Sequence, residues 1–172
     1  MWVVVLAVLV TGCGDEQPAR PPIPRQLDAG AFAWRACDLL PGARAAGLGY
    51  PGPGMPDGIP SEKHWSCSWL PPVSPLLLID LYLGQDRLGY EYRTGAGASI
   101  GSTGEPWLEP LTIGGQPAAA LGHSHELPSA TCSVVVGLTD TQSVRVHAGQ
   151  RAGDGRACEH AIEVATVVVH SI

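Results

Sequence analysis

Lysine is all but missing from this chain: Lys63 stands alone beside nine arginines. Cations of both kinds number 10 against 16 acidic residues, a formal net charge of −6. A chain so poor in positive charge lacks the surface that neutralises a phosphate backbone, which argues against nucleic acid as a partner. It also lacks the polybasic stretch that would hold it electrostatically on anionic lipid. Aromatic residues are scarce at 6%, with a single Phe. The apolar run at residues 3–10 falls well short of the roughly 20 residues that a membrane-crossing helix needs. An HExxH helix and a complete GxSxG elbow are missing, as is the Gly-rich loop with Lys that cradles phosphates. No internal repeat is visible.

What the apolar run leads into is informative. Val10-Thr11-Gly12-Cys13 has the form of a bacterial lipobox, an aliphatic residue, two small ones and a cysteine. In that chemistry the thiol takes a diacylglyceryl group and a peptidase cuts just before it, at a bond that small side chains leave accessible. A short h-region ending in this way predicts a lipoprotein signal peptide at residues 1–12 and a lipidated Cys13 at the start of the mature chain. No Lys or Arg precedes the run, which this reading assigns to a start placed too far downstream. The expected location is the extracytoplasmic face of the cell membrane, attached through acyl chains on Cys13 alone.

With Cys13 so assigned, Cys37, Cys67, Cys132 and Cys158 remain. An even number of cysteines outside the cytoplasm reads as two disulfides with three possible connectivities. Cys37–Cys67 with Cys132–Cys158 joins consecutive elements; Cys37–Cys158 with Cys67–Cys132 is the competing pairing.

Gly and Pro are abundant, at 22 and 16, and they punctuate the chain. Residues 13–27 form a Pro-rich tether, expected to be extended and to hold the domain off the membrane. A single domain is expected over residues 28–172. It opens on a short helix carrying Phe32, Trp34, Cys37 and Leu40, and another turn or two follows at 43–48. Residues 50–60 read as a Gly/Pro loop. Trp65, Cys67 and Trp69 alternate with serines, a period-two strand with all three on one face. Residues 76–83 read as a central strand, apolar except at Asp80. Residues 84–104 read as a long excursion. A strand at Leu111 turns at Gly114-Gly115 and returns over 118–121, and 131–138 pairs with 143–148 as a hairpin. Asp154 is expected to cap a last helix over 156–170, with Ala161, Val164, Ala165 and Val168 inward and Glu159, His160 and Glu163 outward.

The order of lipobox, Pro-rich tether, Cys37-Asp-Leu-Leu, Leu48-Gly, Cys67-Ser-Trp, apolar strand, Gly115-Gln-Pro-Ala, Cys132-Ser-Val-Val-Val and Cys158-Glu-His-Ala resembles an actinobacterial lipoprotein family, domain of unknown function 3558. The chain departs from it at Arg35-Ala36, where the family often has Asp-Pro, and around residues 84–110. The resemblance implies an α+β fold, an antiparallel β-sheet packed against an N-terminal and a C-terminal helix, similar to the Mog1/PsbP-like fold. It implies no catalytic residue and no cofactor.

Two function classes follow. His123 and His125 share a face of any extended segment, as zinc ligands would, and an envelope hydrolase built on them is the alternative reading. Ser124 lacks the second Gly of an elbow, and Asp80 has no recognisable carboxylate partner. The favoured reading is a non-catalytic binding module of the cell envelope, tethered through Cys13. Its partner would be an envelope protein, a lipid or a small molecule. Long loops on rigid scaffolds are where recognition concentrates, so the expected contact surface includes Gly95, Gly97, Gly101 and the neighbouring Trp107.

Overall fold

A computed structural model describes residues 20–72, 75–94, 107–122, 131–151 and 154–172. The chain builds seven strands: β1 (Met55–Ile59), β2 (His64–Trp69), β3 (Leu77–Tyr82), β4 (Trp107–Ile113), β5 (Gln116–Gly122), β6 (Thr131–Gly137) and β7 (Ser143–Gly149). They form one sheet in the order β1-β2-β3-β7-β6-β5-β4, antiparallel throughout. The architecture is α+β. Residues 76–83 do provide a central strand, and the hairpins at Gly114-Gly115 and between β6 and β7 form as the pattern predicts.

One face of the sheet is apolar. Leu77, Ile79 and Leu81 of β3, Val144, Val146 and Ala148 of β7, Val134 and Val136 of β6, and Ala118 and Ala120 of β5 are all buried there. The terminal helix α3 (Ala157–Ser171) lays Ala161, Val164, Ala165 and Val168 on that surface. Small residues on both sides let helix and sheet approach closely. That packing outweighs the weak helix propensity of the β-branched run near residue 167.

Five expectations are corrected. The opening helix is instead two separate 3₁₀ turns, Gly30–Phe32 and Ala36–Leu39. Between them Trp34 takes a left-handed backbone conformation, φ 64°, which no continuous right-handed helix allows. A short α1 follows at Gly42–Gly47. The supposed Gly/Pro loop contains β1, an edge strand that tolerates Pro56 because an edge has one unpaired side. The excursion begins as a helix, α2 (Arg87–Thr94). Asp86 Oδ1 caps it by accepting from the Gly89 N–H at 2.8 Å, and Leu88 and Tyr92, one turn apart, are buried against the sheet's other face. Residues 95–104 lie outside the described residues.

The fourth correction is His160, which is buried rather than outward. Its Nε2 meets Asp154 Oδ2 at 2.6 Å, and the Arg151 guanidinium donates to its Nδ1. Arg151 also donates to the Leu48 carbonyl, pairs with Glu163 at 3.1 Å and lies over the Tyr50 ring. Asp154 does not cap α3; its Oδ1 accepts from the Arg156 N–H and closes the turn before the helix.

Contacts with the domain begin upstream of residue 28. Arg20 pairs with Asp86 and with Asp140, both at 2.8 Å. Ile23 packs against Gly137, the Arg25 carbonyl accepts from Gln116, and the Leu27 N–H donates to Leu138 O. Among the described residues no helix is long and apolar enough to cross a membrane.

Cys37–Cys67 and Cys132–Cys158 are disulfides, each with Cα atoms 4.9 Å apart. The first ties the second 3₁₀ turn to β2, and the second ties β6 to the start of α3. Gly54 passes so close to Cys67 Sγ and the Trp69 ring that a Cβ would collide with both. Peptide mapping without reduction is expected to recover these two pairs and no others. Replacing either pair by alanines should lower unfolding free energy by roughly 3 kcal/mol in urea titrations.

Candidate functional site

Strand register decides what the second face of the sheet carries. A strand alternates faces at every residue, and directly paired residues share a face. His64, Ser66 and Ser68 of β2 therefore lie beside Leu78, Asp80 and Tyr82 of β3. These continue into Ser143, Arg145 and His147 of β7, and from there into Ser133 and Val135 of β6. Leu88 and Tyr92 of α2 cover the β5–β6 part, over Ala119, Leu121 and Val135, and the start of α2 reaches β7, where the Arg87 N–H donates to Ser143 Oγ at 3.1 Å and the Arg87 side chain pairs with the buried Glu91. The remaining polar residues of β2, β3, β7 and β6 make a half-buried array.

Asp80 is its centre. It is 2% exposed, and a carboxylate so placed needs charge-assisted partners. Arg145, directly opposite on β7, donates from Nε at 3.0 Å and from an η nitrogen at 2.8 Å, both to Oδ2. His64 Nε2 lies 3.0 Å from Oδ1, and the His64 ring stacks on Tyr82 at 4.7 Å. Burial works against the Arg145 charge, but Asp80, with Tyr82 and Glu91 adding to it, holds the guanidinium above its ordinary range. Burial, and then Asp80, push the Tyr82 phenol upward. The array keeps its charge balanced and its side chains fixed.

A second pair lies beside it. Ser133 Oγ and His147 Nδ1 are 2.8 Å apart across β6 and β7. Burial first, and Arg145 second, hold His147 below its ordinary 6.5, against a smaller opposing pull from Asp80. His147 is thus a neutral imidazole at physiological pH. A hydroxyl on a neutral imidazole is the beginning of a nucleophilic dyad, but such a dyad needs an acidic group to orient the ring. Both oxygens of Asp80 are taken by Arg145 and His64, and no described carboxylate hydrogen-bonds His147. The pair as it stands offers hydrogen-bonding edges and no activated nucleophile. No group of three or more His, Cys, Asp or Glu among the described residues could hold a metal ion.

The residues singled out from sequence fare differently. Cys13, Gly95, Gly97, Gly101, His123 and His125 lie outside the described residues. Trp107 begins edge strand β4, half-buried, with its indole across Gly122 on the face that α3 covers. Trp65 and Trp69 are core residues. Asp80, read as partnerless, finds partners 16 and 65 positions away. The Asp80–His64–Arg145 array and the Ser133–His147 pair escaped the sequence reading because both depend on register between strands distant in the chain. Their one local signal was the polar residue at every second position of the strand at 143–149.

Removing the Asp80 charge leaves the half-buried Arg145 without its hydrogen-bonded counterion. Asp80→Asn is expected to cost about 2 kcal/mol in urea unfolding, and the double variant Asp80→Leu/Arg145→Met to regain most of it. The unfolded chain takes up the His147 proton from about pH 6.5 downward while the folded chain resists it, so unfolded protein binds more protons there. Stability should therefore fall as pH drops below 6.5, and His147→Gln should flatten that part of the curve.

The family described as protein of unknown function (DUF3558) matches residues 8–171. No curated protein and no solved structure matches the chain.

Proposed function

We propose, from the premise that this chain belongs to the DUF3558 family, that it is a lipid-anchored, extracytoplasmic binding module that carries out no chemistry on its partner. Acylation of Cys13 would hold it on the outer face of the cell membrane. The family match begins at residue 8, inside the apolar run and ahead of Cys13, and two disulfides suit an oxidising compartment. A Mog1/PsbP-like relationship and an actinobacterial origin belong to the same reading.

The observation that carries the binding reading is the second face of the sheet. It presents Arg145, His64, His147 and Ser133 half-open and fixed by mutual hydrogen bonds around a buried carboxylate. Fixed polar groups lose little freedom on recognition. What they form suits hydrogen bonding to an acceptor-rich partner, an envelope protein being the favoured one. The surface lies on the face opposite the one that Trp107 flanks.

A photo-crosslinking residue at Ser68, on this face, should capture a discrete envelope partner in cells, whereas the same residue at exposed Glu109 should not. Capture equal at both positions would remove the face from the reading. Hydrolase activity lost in His123→Ala or His125→Ala at unchanged stability would replace binding by catalysis.

A further inference from the structure

The docking of the N-terminal segment fixes more than the edge of the domain. The Arg20 side chain is only 17% exposed, between Asp86 at the start of α2 and Asp140 in the β6–β7 turn. Ile23, Arg25 and Leu27 continue the attachment along the same end of the sheet. Attachment to the domain therefore reaches back at least to Arg20, seven residue steps after Cys13. At full extension those steps reach about 25 Å, half the roughly 50 Å available if the tether ran free to residue 27.

The register says which part of the molecule this brings down. Gly137 pairs with Ser143, Ser143 with Tyr82, Tyr82 with His64, and His64 with Ile59. The Arg20 end of the sheet thus also carries the 3₁₀ turn Pro60–Glu62, and beyond β5 the Gly114-Gly115 turn and the end of α3, where Gly114 meets Val169. Lys63, the single lysine, lies exposed at this end, and Arg20 offsets two carboxylates there that would otherwise face lipid headgroups. Leu70, the end of β5 and the start of β6 lie at the other end, about 20 Å away along strands of this length.

We infer that the Arg20 end of the sheet is the membrane-apposed surface, latched by Arg20 to Asp86 and Asp140, and that the Leu70 end faces away from the bilayer. The inference rests on the lipid-anchor reading of Cys13. The latch sets both the standoff and the orientation, because a short tether leaving from one end of a rigid sheet keeps that end nearest the anchor.

The test uses the full-length lipidated protein in phosphatidylcholine–phosphatidylglycerol vesicles containing a nickel-chelating lipid. A nitroxide is attached at Thr141→Cys, at the latch end, or at Leu70→Cys. The Thr141 label should relax severalfold faster than the Leu70 label, and Arg20→Gln or Asp140→Asn should narrow the contrast while far-ultraviolet dichroism and vesicle flotation are retained. Equal relaxation at the two positions in floating protein would overturn the orientation and leave the anchor standing. A contrast unchanged in both latch variants would overturn the latch as its cause. Protein that fails to float would overturn the anchor reading and the orientation together.

Discussion

Asp80 is a charge in the interior of a central strand, and most of the second face is arranged around keeping it there. Its neighbours on either side, β2 and β7, each supply one partner from the directly facing position or the next. A buried carboxylate held by a guanidinium and an imidazole contributes little net stability compared with hydrophobic side chains of the same size, because desolvation offsets most of the attraction. What it contributes is register. A one-residue slip of β7 against β3 would put Arg145 among the valines of the core and leave Asp80 without a counterion, two penalties at once. The sheet's strand alignment is thus specified on both faces, by apolar packing under α3 and by charge on the other side.

That division explains why the helices are so unequal. α3, 15 residues long, covers the apolar face. α2 has 8 residues; it packs Leu88 and Tyr92 on Ala119, Leu121 and Val135, and its first residue donates to Ser143 of β7. Among the described residues the polar part of the face is left half-open. The half-open array is therefore a consequence of composition: the alternation that buries Leu77, Ile79 and Leu81 on one side delivers Leu78, Asp80 and Tyr82 to the other.

Much of this was legible beforehand. Period-two alternation placed β2, an apolar run broken only by Asp80 placed β3, a hairpin pattern placed β6 and β7, Gly114-Gly115 marked its hairpin, and the pairing of cysteines in consecutive elements matched the two disulfides. The failures share a physical origin in contacts between distant residues. His160 looked solvent-facing on the helix because its partners, Asp154 and Arg151, come from the preceding turn and not from α3 itself. α2 was hidden by a glycine-rich neighbourhood, although Asp86 three residues before Gly89 is an acceptable cap. The polar array depends on which strands are neighbours, and β3 beside β7 is a pairing that no local pattern states.

Proline in strands was the most misleading signal and, once placed, the most informative. Pro56 and Pro110 lie inside β1 and β4, the two edges of the sheet, where a residue without an N–H is tolerated because one side of the strand has no ladder to complete. On β1 the Gly58 N–H is occupied by the Asp57 carboxylate at 2.7 Å, so neither Pro56 nor Gly58 has a free donor to offer a foreign strand. A seven-stranded sheet that does not close has two edges, and an edge that is neither blunted nor covered is a template for pairing with a copy of itself. Confinement to a membrane would raise the local concentration of such copies and favour that pairing further. Edge prolines limit self-association without touching the polar face.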